Sequence, residues 1–470
     1  MQLNLNKYAE KLLPSFAYKK ASPFITKVEG AFSGTGDKNV SRRTAIFAFS
    51  IRIASAAIAY FSQVLLARFM GEFEYGIYVA VWIWAVILGG LVCLGFQTGI
   101  IRFISEYRSD KRESLLRGSI FSAITISMVS ATIIAMIGAA IVYFYGDHLF
   151  ESYYYIPLLL ATTCLPLLAL SEVHDGIARA FDMPRIALAP IFILRPLLIL
   201  GIMLIAILAG YEVDAKSAII ATIIAVYITA LYQFIVLKMK LKPELGTTSR
   251  SYTPKAWFKV TLPIFLVEGF YNLLTNVDIL ILASYESPEK VGIYFAAAKT
   301  LALVHFVYFA VKAAAAHRFA SYLSSGNKQE YENFINETIH WTFWPSLFLA
   351  LVMLVLGKYF LMLFGESFAV GISVIWILTL GIIVRSSVGA AESVLTMSGK
   401  QNLCALVYAV SLCVAITLCI ILIPIYGLNG AALATTLTLC CEALGLYLAA
   451  RYSLDLHVFI IPKRKKKLVS

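Results

Sequence analysis

Gly76-Ile77-Tyr78 recurs as Gly292-Ile293-Tyr294, 216 residues further on. The offset holds on both sides of the tripeptide. Leu66-Ala67 falls on Leu282-Ala283, Ala80 on Ala296, and Arg102-Phe103 with Ser105 on Arg318-Phe319 with Ser321. Further on, Ala215, Ala218 and Thr222 fall on Ala431, Ala434 and Thr438. Small residues are weak markers singly, but a constant, gapless register gives them weight. The chain is built twice. In a very apolar chain, duplicated halves point to a transporter whose site lies between them.

Composition fixes the class. Of 470 residues, 60% are hydrophobic and 14% charged, with a mean hydropathy of +0.81. A soluble chain carries roughly 25% charged residues. Twelve apolar runs, at about 44–67, 75–101, 116–145, 154–173, 186–209, 214–238, 258–283, 290–314, 334–357, 368–395, 401–425 and 428–452, are each near the ~20 residues that cross a bilayer as a helix. Helix is expected because a lipid-facing backbone must satisfy its own hydrogen bonds. Barrel strands would show short alternating segments, which these are not. Six spans per half is an even number, so spans 1 and 7 enter from the same face. The sequence thus predicts an all-α integral membrane protein, with about 12 transmembrane helices in two parallel six-helix bundles around a central cleft.

Basic residues orient it. Thirty of the 39 Lys and Arg fall on the side of the two termini, four (Arg68, Lys216, Lys290, Lys358) on the other, and five within spans. By the positive-inside rule both termini are cytoplasmic. The net charge of +12 is therefore mostly a topology signal and does not argue for nucleic acid. The expected parts are a basic cytoplasmic leader with an interfacial helix or a disordered run (1–43), an N-terminal bundle (44–238), a cytoplasmic linker with Pro243, Gly246 and Pro254 as breakers (239–257), a C-terminal bundle (258–452) and a basic tail (453–470). No cleavable signal peptide is expected, because residues 1–40 hold no continuous apolar run.

Enzyme chemistry has no visible home. The seven cysteines all sit in apolar spans, the six histidines are scattered, and there is no glycine-rich phosphate loop or GxSxG. The cysteines read as packing residues, and no metal or other cofactor is expected.

Leu65-Leu66-Ala67-Arg68-Phe69-Met70-Gly71 followed by Tyr75-Gly76-Ile77-Tyr78 resembles the first-hairpin signature of bacterial polysaccharide exporters, the O-antigen-type flippases. These belong to the multidrug/oligosaccharidyl-lipid/polysaccharide exporter superfamily. Pro424-Ile425-Tyr426-Gly427-Leu428-Asn429-Gly430 resembles the start of their last span pair. The resemblance covers about residues 41–452. It implies two bundles forming a V-shaped cleft lined by spans 1 and 7, and alternation between inward-open and outward-open states. Its polysaccharide branch carries polyprenyl-pyrophosphate-linked oligosaccharide units to the outer leaflet for lipopolysaccharide or exopolysaccharide synthesis, beside other polysaccharide-assembly proteins. Its multidrug branch exports cationic drugs in exchange for protons or sodium ions.

Charges inside the membrane carry the functional information, since an ionisable group there needs a cavity or a partner. Five are basic (Arg52, Arg195, Lys299, Lys312, Arg385) and five acidic (Glu172, Glu268, Asp278, Glu392, Glu442), so some must pair. Arg195, Lys299 and Arg385 lie deep in their spans and are the expected ligands of an anionic linker, for which the guanidinium fork suits a pyrophosphate. Arg52 and Gln63 on span 1, and Glu268, Asn272 and Asp278 on span 7, mark the polar faces of a cleft, with His305 on span 8. Arg52 and Glu268 are repeat-equivalent, 216 apart and opposite in charge. They are expected to pair as a gate at the inner side. Trp257, Trp341 and Trp344 fit interfacial anchors.

Moving two negative charges outward across 100 mV gains about 2 × 2.3 kcal/mol, so the potential alone suffices. Proton or sodium coupling through Glu268 or Asp278 stays open. The expected function is flipping of a polyprenyl-pyrophosphate-linked glycan. A cation-coupled multidrug exporter of the same fold is the alternative. A membrane polymerase or ligase needs outer catalytic groups, for which the short loops leave little room.

Overall fold

The computed structural model describes residues 37–245, 248–325 and 328–461, with side chains of 37–54 and a few single positions left aside. Two units separate at Ala57 and Ile58. The described part of the first is helical from Asp37, and all that follows concerns residues from Ile58 onward.

Among the described residues every regular element is helical. The order is α1 (Asp37–Leu91), α2 (Phe96–Ser109), α3 (Glu113–Leu149), α4 (Ser152–Thr162), α5 (Leu165–Ala180), α6 (Pro184–Ala189), a π-helical turn (Pro190–Leu194) and α7 (Arg195–Leu208). There follow α8 (Ala215–Leu241), α9 (Pro254–Leu274), α10 (Val277–Tyr285), α11 (Pro288–Ser325) and α12 (Lys328–Met362). A 3-10 turn (Ser367–Gly371), α13 (Ile372–Ser386), α14 (Ala391–Met397), α15 (Gln401–Tyr426) and α16 (Leu428–Leu454) complete the chain.

Among the described residues nine helical stretches are long and apolar enough to cross a membrane, and two bent pairs bring the number to 11. Within the first of them Gly71 (φ 76, ψ 174) is non-helical and divides α1 into two arms. Their ends follow from local chemistry. Pro184, Pro254 and Pro288 start helices where a missing N–H costs nothing. Asp214 caps α8 in a capping box with Ser217, and Glu74 Oε2 accepts the next free amide, Ala215 N–H, at 2.8 Å.

Several spans are broken where hydropathy reads as continuous. α4 and α5 meet at 49°, and α9 and α10 at 47°. Span 2 breaks between Leu91 and Phe96, where Leu94 and Gly95 have φ of 51 and 78.

Packing joins the halves at one end and separates them at the other. One apolar cluster holds Leu66, Tyr75, Ile77 and Ala218 of the first half with Leu282, Tyr294, Phe368 and Ala431 of the second. At the opposite ends of the same helices the core divides. Phe96, Phe103, Leu237 and Trp257 form one cluster, and Phe319, Phe334, Leu395 and Leu446 another. We call these the joined and the split end. Arg68 ties the joined end across the halves, donating to the carbonyls of Leu363 (2.5 Å) and Met362 (3.1 Å).

The start of span 7 packs with the first half. A Cβ at Gly95 would stand 2.2 Å from Thr261 O, and one at Gly118 would stand 1.8 Å from Ser251 O. Ser251 N–H also donates to Ser114 O at 3.0 Å. Trp257 is not an interfacial anchor. It is 1% exposed and donates to Tyr107 Oη at 2.9 Å, because the linker folds back onto α2 and α3 and buries it. Trp341 and Trp344 are about half exposed, at 49% and 56%, as anchors should be.

Candidate functional site

A cavity of about 360 Å³ lies between spans 2, 4 and 7, toward the split end. Gln97 and Thr98, just past the break in span 2, face Glu268 and Asn272 of α9. Glu268 accepts from Gln97 Nε2 at 2.7 Å and Thr98 Oγ1 at 2.5 Å. Glu172 lines the same cavity, and its one basic wall residue, Arg179, is committed to Asp175 at 2.5 Å. Two carboxylates therefore face this space with one cation that is already paired.

A second cavity, about 480 Å³, lies within the second half. It contains Asp278, Lys299, His305 and Glu442. Asp278 is satisfied, accepting from Tyr294 Oη (2.6 Å), Thr435 Oγ1 (2.9 Å) and Ile279 N–H (2.9 Å). His305 packs against the rings of Tyr308 and Phe309. Lys299 is open to the cavity, its Nζ 4.8 Å from the centre of the Phe295 ring. It makes no ion pair among the described residues.

Arg385 belongs to a buried network. Its Nε donates to Glu442 Oε1 at 2.7 Å, its Nη2 to Glu392 Oε2 at 2.8 Å and its Nη1 to Gly389 O at 3.2 Å. Glu392 also pairs with Lys312 and accepts from Tyr408 Oη at 2.8 Å. Two cations meet two anions, and the guanidinium fork is occupied by protein. Sequence reasoning required some pairing but could not name the partners. Glu442 is 57 residues from Arg385 and Lys312 is 80 from Glu392.

Arg195 is 6% exposed, directly after the π-helical turn, and its Nε and Nη2 have no hydrogen-bond partner among the described residues. Gln63 accepts from Tyr75 Oη at 3.0 Å at the joined end, away from the split-end cavity. Arg52 lies outside the residues whose side chains are described, so its pairing with Glu268 is not on view. Among the described residues no group of three or more His, Cys, Asp or Glu could hold a metal.

Similar proteins carry the same fold. The family described as polysaccharide biosynthesis protein matches residues 41–322, and the MatE family matches residues 263–421. No curated protein matches the chain. An inward-facing multidrug-resistance transporter of the MATE family is 14% identical with a TM-score of 0.72, covering 87% of this chain and 98% of its own. Lipid II flippase MurJ in an inward closed conformation is 15% identical with a TM-score of 0.67, covering 88% of each chain. An outward-facing MATE transporter is 15% identical at 0.63, covering 90% of this chain and 97% of its own. The fold is that of a membrane transporter of the multidrug/oligosaccharidyl-lipid/polysaccharide (MOP) superfamily. Within it, the chain belongs to the polysaccharide biosynthesis protein family, whose match spans more than half of its length.

Proposed function

We propose that the protein moves a polyprenyl-pyrophosphate-linked oligosaccharide from the inner to the outer leaflet of a bacterial inner membrane by alternating access. The observation that carries the reading is Lys299, an ammonium open to an interior cavity with no carboxylate paired to it. A cation in that setting favours an anionic ligand. Family membership and the likeness to a lipid II flippase support a lipid-linked glycan as the cargo. The 30-to-4 distribution of Lys and Arg supports a cytoplasmic split end, which would make this conformation inward-facing. The two bundles, 44–238 and 258–452, would rock about the joined end. Membrane lipids and other polysaccharide-assembly proteins are the expected partners.

One observation favours the second reading, a cation-coupled multidrug exporter. Glu172 and Glu268 line the split-end cavity with only a paired arginine beside them. In a flippase the same carboxylates would serve a coupling proton or sodium ion.

The test is reconstitution of the full chain in vesicles with a fluorescent polyprenyl-pyrophosphate saccharide. Exposure of the sugar to a membrane-impermeant oxidant is followed. Protein-dependent appearance of the sugar on the far side is expected. Movement of a fluorescent organic cation with no movement of the lipid would replace this reading with the second.

A further inference from the structure

Two neighbouring cavities at the joined end have no part in the sites above. One is a polar chamber of about 520 Å³ where span 2, the α3–α4 turn and α10 meet. Its polar wall is formed by His148, Glu151, Ser152, Tyr154 and Ser284, with the Trp84 indole beside them. Among the described residues no lysine or arginine lines it. The other is an apolar groove of about 240 Å³ between span 2, α3 and α4, where Ala85, Leu88, Gly138 and Leu165 form the walls. Val81, Trp84, Phe150 and Leu158 border both spaces, so the chamber and the groove adjoin.

We propose that chamber and groove together bind one lipid-linked saccharide at its exit, the sugar in the chamber and the hydrocarbon in the groove. This rests on the flippase reading above. Three observations select the occupant. First, the pair is amphipathic, a polar space beside an apolar slot with four wall residues in common. Second, the polar wall carries a carboxylate, hydroxyls, the His148 imidazole and an indole face, and no lysine or arginine among the described residues. Hydroxyl-rich rings donate to carboxylates and lie on aromatic faces, whereas a pyrophosphate would find no ammonium or guanidinium to balance its charge here. Third, Tyr154 is 7% exposed and its hydroxyl has no hydrogen-bond partner among the described residues. A buried hydroxyl without a partner is costly, and the Tyr154 side chain lines the chamber in which a sugar would sit.

Position gives the site its role. The chamber lies on the same seam as the split-end cavity. Span 2 contributes Gly90 and Leu91 to the lower space and Ala80, Val81 and Trp84 to the upper, while span 7 contributes Glu268 and Asn272 below and Leu280, Ala283 and Ser284 above. A headgroup passing along this seam would leave the acidic split-end cavity, where Glu172 and Glu268 stand, and meet a wall that holds sugar through Glu151, the hydroxyls and Trp84.

The experiment uses the full chain in vesicles of phosphatidylethanolamine and phosphatidylglycerol, with a diazirine-labelled polyprenyl-pyrophosphate N-acetylglucosamine as probe. Photolabelled peptides are then mapped. Labelling of peptides containing Trp84 and Tyr154 is expected. Gly138→Phe should plug the groove without disturbing the fold, since the nearest atom to a Cβ there is Thr162 Cγ2 at 3.6 Å. It should weaken chamber labelling about tenfold, equivalent to ~1.4 kcal/mol. Glu151→Gln should weaken labelling by the saccharide lipid and leave that by a diazirine phosphatidylethanolamine unchanged. Labelling confined to peptides of the split-end cavity, with transport intact, overturns the exit site and leaves the flippase reading standing. Equal labelling by phosphatidylethanolamine, not displaced by the saccharide lipid, assigns the site to bulk lipid and overturns it too. No labelling anywhere on the wild-type chain overturns both.

Discussion

Gly76 and Gly292 occupy equivalent places in the two halves, and each lies against the start of the other's helix. A Cβ on Gly76 would come within 1.7 Å of Pro288 O, and one on Gly292 within 2.9 Å of Glu72 O. Glu72 and Pro288 are themselves 216 apart. The contact is therefore reciprocal, as in a two-fold dimer interface, although one chain makes both sides. Other residues shared between the repeats also serve packing. Leu66 and Leu282, Tyr78 and Tyr294, Phe103 and Phe319, and Ala218 and Ala434 are all buried. What the duplication preserved is the way the halves fit, and the charges within the spans differ. Position 62, equivalent to Asp278, is Ser62, and the position equivalent to Glu442 is Val226.

Gly76→Ala should cost more stability than Gly292→Ala. At both the obstacle is backbone, which cannot turn away, but it stands at 1.7 Å for Gly76 and 2.9 Å for Gly292. Overpacking of this kind costs about 1–3 kcal/mol. Thermal unfolding of the purified variants in detergent should give the order wild type, Gly292→Ala, Gly76→Ala. A Gly76→Ala protein as stable as wild type would mean that the helices do not approach this closely.

Arg385 should prove structural before it proves to bind substrate. Arg385→Leu leaves Glu442 buried without its cation, and a broken buried pair costs about 3–5 kcal/mol. Glu392 keeps Lys312 and Tyr408. Arg385→Leu combined with Glu442→Leu should therefore recover much of the folded yield lost by Arg385→Leu. Yield and melting temperature, read separately from transport, check this. A fully stable Arg385→Leu protein that fails only in transport would assign the residue to substrate.

The membrane-crossing helices were legible because apolar length is a local property of sequence. The breaks within spans were not. The turns at Leu94-Gly95 and Thr275-Asn276 are fixed by what packs on them, as when Gly95 meets Thr261. The fold-back that buries Trp257 was hidden for the same reason, since an aromatic near a span end reads equally as anchor or core. Intramembrane charges could be counted, and their balance implied pairing. The identity of the pairs depends on neighbours on other helices. Lys299 differs from Arg385 only in which space its helix face meets. The joined-end chamber draws on a turn, His148 to Tyr154, that carries no motif.

Lys299→Ala should reduce transport of the lipid-linked glycan at least tenfold while leaving the melting temperature unchanged, because the side chain makes no ion pair to lose. Tenfold corresponds to ~1.4 kcal/mol, within the range for one charge-assisted contact. Lys299→Arg should retain most activity. Transport by Lys299→Ala at the wild-type rate would remove the observation on which the flippase reading rests.

Glu268 faces the last test, because it both joins the halves and carries charge. It holds Gln97 and Thr98 of the first half at 2.7 and 2.5 Å. With Glu172 nearby, it makes the split-end cavity a place where a cation gains. The two roles separate by substitution. Glu268→Gln keeps an acceptor oxygen but removes the charge, whereas Thr98→Val removes one hydrogen bond and keeps the charge. If the carboxylate couples an ion, transport by Glu268→Gln should lose its response to an imposed proton or sodium gradient yet still equilibrate substrate without one. Thr98→Val should keep the response and at most shift its rate. Vesicles with the gradient set in either direction, or absent, give all three readings. Equal gradient dependence in wild type and Glu268→Gln would exclude this carboxylate from coupling and leave it a hydrogen-bonded strut between the halves. A wild-type protein indifferent to both gradients but responsive to a potassium-valinomycin potential would point instead to movement of the substrate's own negative charge, for which the potential supplies about 2.3 kcal/mol per charge at 100 mV.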